Sequence, residues 1–525
     1  MILGSHARRG LTASAGVALA FALVLSGCST APTPSGSASA SGSASAPAAA
    51  GGTLVVGVTS DPDTLFPWKA TQFQAVNVLQ TIYGTLTEFD KDLNVVPGLA
   101  ESWDTSSDGL TVTLHLRKGV TFDDGSAFDS ADVKFSLDKI KEEATAAVAA
   151  ASLASVKSVD ATDANTVTLH LTTADAGLMA NLASVNLAML SSDDTEAKLS
   201  TAPNGTGPFK FAERKASQSL TLARNDAYWG DKAKLDGIEF RVIPDESSIV
   251  SAMQSGNVQF AVFDDPLVSQ TATAAGLTVA KTPQLSYHVL QLNARKGPLT
   301  DVNVRLAMQC AIDRQQVLDT AAQGEGEVTG PITSPAFRSD PNSRPCPTRD
   351  LAKAAEYLAK AGKSDGVTVK AIVSQGEYST SVNEAQSLKA QLAEAKITLD
   401  LDVLESGAYV DKWIAADFEA AVALNGGRPD PDGSYSRYFT STGNLNKVAG
   451  YSSPELDKLF AEGRQTSDLA KRKEIYTQIS NNLEDNAAWI WMFTSYTYTA
   501  TTSKVAGFTP MANSSLQYLR ETTLG

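Results

Sequence analysis

The fold of this 525-residue chain is decided by the stretch PGLAESWDTSSDGLTVTLHLRKGVTFDDGSAFDSADVKFSL, which occupies Pro97–Leu137. Ser107-Asp108-Gly109 is typical of a tight turn. Leu110–Arg117 then alternates in polarity and is rich in β-branched residues, which predicts a strand. Asp129 is placed to cap a helix, because its side-chain oxygen can accept a hydrogen bond from the first helical turn. The block therefore predicts a turn, a strand and a helix in close succession.

Strand and helix signals continue on both sides of this block. The runs at Thr53–Val58 and Thr166–Leu171 predict strands, and helices are predicted from Thr348, from the Ser453-Pro454 cap and from Asp468. The class is therefore mixed α/β, with the helices concentrated in the C-terminal part. About 470 residues follow the N-terminal segment, which is too many for a single core, so two or three compact units are expected.

Four further segments carry, with the opening block, a resemblance to a known family. In chain order they are NGTGPFKF (Asn204–Phe211), Arg224–Phe260, Leu292–Arg314 and Gly450–Leu483. Together with Pro97–Leu137 they resemble the family 5 extracellular solute-binding proteins, which are the dipeptide-, oligopeptide- and nickel-binding receptors of ABC importers. The resemblance implies a receptor that captures a peptide or peptide-like small solute and delivers it to a membrane permease. It implies no catalysis and no cofactor.

The resemblance also implies an architecture. It predicts an α/β, two-lobed, periplasmic-binding-protein-like fold of type II, a Venus flytrap with an extra subdomain inserted in lobe I. Lobe I would comprise residues 53–86, 204–286 and 496–525, the inserted subdomain 87–203, and lobe II 287–495. Hinges are expected near Tyr287 and Tyr496. A ligand that touches both lobes at once would favour the closed state.

The N-terminus is typical of a targeting segment. Arg8 and Arg9 precede the apolar run Ala13–Leu25, which suits a signal-peptide core and is short for a membrane span. Leu25-Ser26-Gly27-Cys28 resembles the lipobox of bacterial lipoproteins, in which the peptide is cut before the cysteine and the sulfur is acylated. We expect a signal peptide at 1–27, a lipid on Cys28 and a flexible Ser/Ala/Gly/Pro linker over 28–52. The alternative is an ordinary secretory signal with an incidental Cys28.

The charge limits the possible partners. Cleavage after residue 27 would leave 41 basic and 58 acidic side chains, a net charge of −17 compared with −15 for the full chain. Such a surface disfavours nucleic acid and anionic lipid. We expect a monomer at the outer face of the cytoplasmic membrane, in contact with the membrane only through its lipid. In that oxidising compartment Cys310 and Cys346 could pair or stay free, because the sequence does not give their separation in space.

Loops from both lobes line the ligand cleft in this family. Four segments of this chain are candidates for that lining: Thr59–Trp68, Val262–Pro266, Leu285–Asn293 and Leu424–Phe439. In peptide-binding members, backbone at such segments bonds the ligand like an added strand. The resulting candidate ligand contacts are Asp61, Asp264, Asp265, Tyr287, Trp413, Asn425, Arg428, Asp430 and Asp432. Asp264 and Asp265 would be alternative partners for an amine, and Tyr287 and Trp413 would be aromatic walls or, alternatively, core residues.

One position departs from the family pattern. Asp430-Pro431-Asp432 fits the acidic run of the family, but peptide binders carry an acid a few residues earlier that pairs with the ligand's α-amine. Here that stretch is Gly426-Gly427-Arg428. Arg428 would offer a planar fork to a carboxylate or phosphate, which places a free-amine peptide in doubt. The alternative is that Arg428 pairs with Asp430 or Asp432, and Asp430 itself could be a turn cap or hinge contact.

Several other functions have weaker support in the sequence. The mature histidines, His115, His170 and His288, lack metal-ligand spacing, so free nickel is disfavoured and no metal site is expected. No G-x-S-x-G or H-E-x-x-H motif occurs, although a hydrolase that uses a carboxylate pair stays open. The remaining alternatives are a sensor of the same fold and a receptor for a non-peptide solute such as an anionic conjugate, an oligosaccharide or a metal chelate.

Overall fold

The computed structural model describes residues 51–376 and 378–525. The predicted signal peptide, Cys28 and most of the predicted linker lie outside these residues. The last two linker residues are bonded to the folded chain: the amide of Gly51 donates to the carbonyl oxygen of Lys234 at 2.8 Å, and that of Gly52 to Asp236 Oδ2 at 2.7 Å. Within the described residues, none of the helices has the length and the apolar character that crossing a membrane requires.

The strands of the described residues form one 12-stranded sheet, one four-stranded sheet and two two-stranded sheets. They are β1 (Thr53–Val58), β2 (Thr87–Phe89), β3 (Val95–Pro97), β4 (Ala100–Thr105), β5 (Thr111–Leu116), β6 (Val156–Asp163), β7 (Thr166–Leu171), β8 (Phe209–Lys215), β9 (Ser219–Arg224), β10 (Gly237–Val242), β11 (Phe260–Phe263), β12 (Thr278–Pro283), β13 (Tyr287–Leu292), β14 (Gly326–Val328), β15 (Val367–Gln375), β16 (Ile397–Glu405), β17 (Ala420–Asn425), β18 (Trp489–Thr501), β19 (Val505–Ala506) and β20 (Thr523–Leu524).

The helices pack against these strands. They are α1 (Phe73–Ile82), α2 (Ser130–Lys141), α3 (Leu178–Asn181), α4 (Glu196–Leu199), α5 (Glu246–Gln254), α6 (Pro266–Ala274), α7 (Val302–Ala311), α8 (Arg314–Ala322), α9 (Leu351–Lys360), α10 (Ser381–Glu394), α11 (Ser406–Ala415), α12 (Asp432–Phe439), α13 (Asn446–Ala449), α14 (Pro454–Gln465) and α15 (Leu469–Asp485). Short 3-10 helices lie at Pro67–Lys69, Glu143–Thr145, Ala150–Leu153, Val185–Leu187, Gly297–Thr300, Pro335–Phe337 and Gln517–Glu521.

One long strand, β18, joins two halves of a mixed sheet. Its C-terminal part pairs antiparallel with β12 and β11, and β1, β10, β9 and β8 continue outward on that side, which we call the first half. Its N-terminal part pairs with β13, and β17, β15 and β16 follow outward, which we call the second half. β18 changes partners between Ser495, which pairs with β14, and Tyr496, which pairs with β12.

The chain passes between the halves at two adjacent points. One is the link Gln284–Ser286 between β12 and β13, and the other lies inside β18. The amide of Gln284 donates to the carbonyl oxygen of Ser495 at 2.9 Å. Thr494 Oγ1 donates to the carbonyl oxygens of Gln284 and Ser286 at 2.6 and 2.7 Å. These bonds join the two crossing segments to each other.

A separate sheet is inserted between α1 and β8. Its antiparallel order is β4-β5-β7-β6, and β2 and β3 form a hairpin beside it. Along β5 and β7 every second side chain is buried, so the apolar residues face the core and the intervening ones face solvent. His115 and His170 are on the outer face, where their rings meet Asp104 and Asp160. Among the described residues, no group of three or more His, Cys, Asp or Glu side chains could hold a metal ion.

Local sequence signals predicted several elements well. β1 and β7 have the predicted bounds, and Asp129 caps α2 through a reciprocal capping box. Ser453 and Asp468 cap α14 and α15. The predicted start at Thr348 is wrong: α9 begins at Leu351, because the side chain of Asp350 accepts a hydrogen bond from the amide of Lys353 and caps it there.

Cys310 and Cys346 form a disulfide, with their Cα atoms 5.0 Å apart. Cys310 lies in α7, Cys346 lies in the loop before α9, and both are buried. The bond joins positions 36 residues apart in the second half. Of the two states that the sequence left open for these cysteines, the structure has the paired one.

Candidate functional site

A cavity of about 360 Å³ lies between the two halves, and we call it the cleft cavity. Its walls come from α1, Phe89 of β2, the segment 151–185, the loop 428–433 and residues 513–517. The polar side chains that line it include Gln80, Ser155, Asp175, Arg428, Asp432 and Gln517. Segments far apart in sequence therefore meet around one space, as expected for a binding cleft.

The loop after β17 is held close to the crossing segment. A Cβ atom at Gly427 would lie 1.9 Å from the carbonyl oxygen of Leu285, so only glycine fits there. Ser334 Oγ donates to the carbonyl oxygen of Pro429 at 2.6 Å. These contacts set the path of residues 426–430 and hence the position of Arg428.

Asp430 forms a buried bidentate ion pair with Arg472. Arg472 Nη2 donates to Asp430 Oδ1 at 2.9 Å, Nη1 donates to Oδ2, and Nε donates to the carbonyl oxygen of Gly463 at 2.9 Å. Burial by itself would lower the pKa of Arg472. The facing carboxylate of Asp430 outweighs that effect and holds the pKa above its usual range. Although Asp430 lines the cleft cavity, both of its oxygens are occupied by this pair.

Asp432 is also engaged within the second half. Its Oδ1 accepts hydrogen bonds from Arg464 Nη1 and from the Tyr476 hydroxyl, both at 3.2 Å. Burial raises the pKa of Asp432, and the charge of Arg464 opposes that rise. The acidic run that resembles the family pattern therefore holds the loop through ion pairs within the second half. Asp430 Oδ1 also accepts from the amide of Asp432 at 3.0 Å, a turn contact of the kind that the alternative for Asp430 named.

Arg428 is not part of these pairs, so the alternative in which it pairs with Asp430 or Asp432 is wrong. Its side chain is exposed in the cleft cavity and runs past Gly433, where a Cβ atom would lie 3.2 Å from Arg428 Cδ. No hydrogen bond or ion pair joins its guanidinium to any residue in the described part of the chain. The cleft cavity therefore contains a cation that is free to meet a ligand.

Asp175 lines the same cavity, and the sequence did not single it out. It lies between β7 and α3, where Oδ2 accepts from Ser155 Oγ at 2.7 Å and Oδ1 from the amide of Gly177 at 3.1 Å. No cationic side chain among residues 51–376 and 378–525 comes within ion-pair distance of it. Burial raises the pKa of Asp175, and the nearby charge of Asp430 adds to the rise. A lone acid in a loop carries no local sequence signal, so only the fold reveals this residue.

The other predicted acids lie outside the cleft cavity. Asp61 accepts from Arg214 Nη2 at 2.8 Å, Asp265 caps α6, and Asp264 accepts from Gln284 and Thr497. Asp264 lines a smaller cavity inside the first half with Glu246. The pKa of Glu246 is raised to about 6 by burial and then by the charges of Asp264 and Asp265. The first two acids therefore have structural contacts, and Asp264 faces a different space.

The predicted aromatic walls also require correction. Tyr287 is fully buried in the central strand β13 and stacks on Tyr435 with 5.9 Å between ring centroids. Trp413 is partly buried, and its Nε1 donates to Gln291 Oε1 at 2.7 Å. Asn425 is buried, with its Oδ1 accepting from Gln291. None of the three lines the cleft cavity, because strands and helices of the second half cover them.

The sequence is similar to one protein family and to curated binding proteins. The model of the bacterial extracellular solute-binding proteins, family 5, matches residues 94–446. A glutathione-binding protein, GsiB, of Pectobacterium atrosepticum is 27% identical over 486 residues, covering 86% of this chain and 91% of the relative. A dipeptide-binding protein of Escherichia coli is 27% identical over 495 residues, covering 87% and 92%.

Solved structures resemble the fold over nearly its whole length. HbpA2 from Haemophilus parasuis aligns with a TM-score of 0.82 at 25% identity, covering 90% of this chain and all of the other. DppA from Helicobacter pylori, in complex with the peptide STSA, aligns with a TM-score of 0.67 at 26% identity, covering 90% and 98%.

Proposed function

Because the chain belongs to the bacterial extracellular solute-binding proteins of family 5, we propose that it captures a peptide-like solute with one acidic and one cationic group. Its fold is the two-lobed α/β fold of type II, and its role is to bind a substrate for an importer. We propose that an ABC permease is the partner that receives the solute. The relatives named for binding a dipeptide and glutathione support the peptide-like class.

The main support for this proposal is that two opposite charges, neither with an ion-pair partner among the described residues, line the same cavity. Arg428 lies on one wall and Asp175 on another, and both line the cleft cavity. A guanidinium can meet a carboxylate with two parallel hydrogen bonds, and a carboxylate can accept from an ammonium group. In this proposal Asp175 takes the place of the acid that the loop at Gly426-Gly427-Arg428 lacks. Its carboxylate would bind the amine of the solute.

Capture would work by closing the two halves around the solute. The solute would touch Arg428 in the second half and Asp175 in the inserted segment at the same time, so it would favour the state in which the two charges approach each other. The crossing segments at Gln284–Ser286 and Ser495–Tyr496 would be the hinges. In this proposal lobe I comprises residues 53–86, 204–286 and 496–525, the inserted subdomain comprises 87–203, and lobe II comprises 287–495.

A first experiment identifies the solute. Protein lacking residues 1–28 and purified without denaturation is expected to carry one solute per chain in native mass spectrometry. The charges of Arg428 and Asp175 would hold that solute during purification. After acid release, the solute should contain both an acid and an amine and should be chemically unchanged when it is added back. Cells without the protein should lose uptake of that solute. A purely neutral solute, or one that the protein converts to a product, would contradict the proposal.

We further propose that Cys28 anchors the protein as a lipoprotein at the outer face of the cytoplasmic membrane, as a monomer. The small-residue sequence after Cys28 would then act as a tether of the folded part. Several acyl chains at one cysteine would give stable membrane attachment, since each buried methylene contributes about 0.8 kcal/mol.

Cys28→Ser tests the anchor. The variant should move almost completely from the membrane fraction to the soluble extracytoplasmic fraction, because it has no sulfur to acylate. Immunoblots of fractionated cells measure this, and Ser29→Ala, which leaves the cysteine in place, is the matched control. Retention of Cys28→Ser in the membrane fraction would show that another segment holds the protein.

A further inference from the structure

Each half of the large sheet has its own apolar core. The core of the first half extends into the inserted sheet and includes Val56, Phe260 and Leu169. The core of the second half is separate from it and includes Leu290 and Val373. A rotation about the two crossing segments would therefore move the first half and the inserted sheet as one body relative to the second half.

The walls of the cleft touch each other in this structure. The amide of Ala176, in the inserted segment, donates to the carbonyl oxygen of Arg464, near the end of α14, at 2.8 Å. A Cβ atom at Gly177 would lie 3.3 Å from Asp430 Oδ1. We call this arrangement, in which the inserted segment and the second half are in direct contact, the closed orientation.

Beside the crossing segments, a carboxylate of the second half is bonded to side chains of the first half. Glu325 Oε2 accepts from Lys281 Nζ at 2.6 Å and from the Tyr498 hydroxyl at 2.9 Å. Lys281 lies in β12, and Tyr498 lies in the C-terminal part of β18. We call these three side chains the hinge contact. Among the ion pairs of the described residues, Lys281–Glu325 is the one that joins the two halves.

The position of Glu325 is fixed relative to the second half. Its amide donates to a carbonyl oxygen at the end of α8 at 2.9 Å. At the next residue, Gly326, a Cβ atom would lie 2.4 Å from the carbonyl oxygen of Thr494, so this segment is pressed against β18. Tyr498 is 1% exposed and is held by the core of the first half. A change in the angle between the halves would therefore break the bond between Tyr498 and Glu325, although the flexible side chain of Lys281 could follow.

The hinge contact contains an ionised carboxylate at neutral pH. Burial by itself would raise the pKa of Glu325, but the hydrogen bonds from Lys281 and Tyr498 outweigh burial and hold the pKa below its usual value. Lys281 Nζ also lies over the rings of Tyr496 and Tyr498, 5.7 and 5.8 Å from their centroids. A shielded carboxylate that loses its partners is destabilised, so an orientation that keeps the contact is favoured.

We propose that the hinge contact is a latch that stabilises the closed orientation before a solute binds. It would raise the fraction of solute-free protein in which the halves are already close together, and the apparent affinity for a solute increases with that fraction. None of its three side chains lines the cleft cavity, so the latch would act without touching the solute. The stabilisation of the closed orientation follows from the fold, and the effect on affinity rests on the proposed function.

Small-angle X-ray scattering of protein lacking residues 1–28, dialysed free of solute, tests the latch. Glu325→Gln removes the charge on the second half, and Lys281→Met removes its partner on the first half, so two variants guard against one that fails to fold. Both should have a larger radius of gyration than the wild type, because the open orientation becomes more populated. Asp402→Asn is the matched control, since it breaks the Lys412–Asp402 pair, 2.7 Å long, within the second half. It should scatter like the wild type.

Calorimetry with glycylglycine, a dipeptide that has one carboxylate and one amine, measures the effect on binding. Glu325→Gln and Lys281→Met should each bind it about fivefold more weakly than the wild type, the effect of losing one partly exposed ion pair from the closed orientation. Asp402→Asn should bind it like the wild type.

The outcomes separate the latch from the function on which its effect on affinity rests. Equal radii of gyration in the wild type and both variants would overturn the inference. Smaller radii would also overturn it, because the contact would then favour the open orientation. The same change in Asp402→Asn would assign the effect to net charge, and unchanged glycylglycine affinity in expanded variants would exclude a role in binding. If the variants expand but no protein binds glycylglycine, the wild type included, the dipeptide-like class fails and the latch stands.

Discussion

Arg428→Glu is expected to lower the affinity for the recovered solute by about 100-fold or more. The wild-type guanidinium is exposed in the cleft cavity and has no partner among the described residues, so a ligand carboxylate can take both of its donors. Loss of a hydrogen bond to a charged group costs about 1.5–3 kcal/mol, and a new carboxylate adds repulsion. Calorimetric Kd values for the variant and the wild type measure the change.

Two matched variants separate charge from shape. Arg428→Lys keeps the charge and loses the planar fork, so it should have intermediate affinity. Arg338→Gln should bind like the wild type, because Arg338 pairs with Glu327 at 2.6 Å and does not line the cleft cavity. Wild-type affinity in Arg428→Glu would remove this residue from the site.

Binding at the other end of the solute, where Asp175 would meet the amine, should depend on pH. The raised pKa of Asp175 means that this carboxyl group takes up its proton at a higher pH than an ordinary aspartate. Once protonated it cannot attract an ammonium group, so affinity should fall as the pH falls through this raised pKa. Asp175→Asn should bind weakly and lack this component of the profile, while any titration of the solute itself persists in both proteins.

Arg472→Met is expected to destabilise the protein by about 3–5 kcal/mol, because it leaves the buried Asp430 carboxylate without its partner. It should also weaken solute binding, since Asp430 holds the loop that presents Arg428. Urea unfolding followed by Trp fluorescence measures the stability. The unfolding midpoint is the quantity to compare, because a two-lobed chain need not unfold in two states.

The double variant Asp430→Asn/Arg472→Met is the control for this mechanism. It removes both charges, so no unpaired charge stays buried, and its midpoint should lie between those of the single variant and the wild type. A double variant no more stable than Arg472→Met would mean that the loss comes from packing of the arginine side chain. A single variant with the wild-type midpoint would show that the ion pair contributes nothing to stability.

Much of the architecture was predictable because its signals are local or belong to the family as a whole. β1 and β7 followed from residue type and alternation, and Asp129, Ser453 and Asp468 cap the predicted helices. The start of α9 was predicted three residues too early. Thr348 and Asp350 are both residues that can cap a helix, and Asp350 is the one that does so.

The site was less predictable. Of the predicted ligand residues, Arg428, Asp430 and Asp432 line the cleft cavity, and two of these are occupied by internal pairs. Asp175 was missed, and Tyr287 proved to be core. Whether a charge is free depends on partners elsewhere in the chain: Arg472 is 42 residues from Asp430.

The sequence by itself determined the α/β class, the family, the caps of the main helices and the absence of an acid beside Gly427. Those properties depend on neighbouring residues and on motifs in order along the chain. Only the tertiary structure decided that Arg428 and Asp175 are both left unpaired around one space, that the two cysteines are joined, and that Lys281 and Glu325 meet across the two halves. The physical reason is that pairing, burial and cavity shape are set by contacts between segments that are distant in sequence.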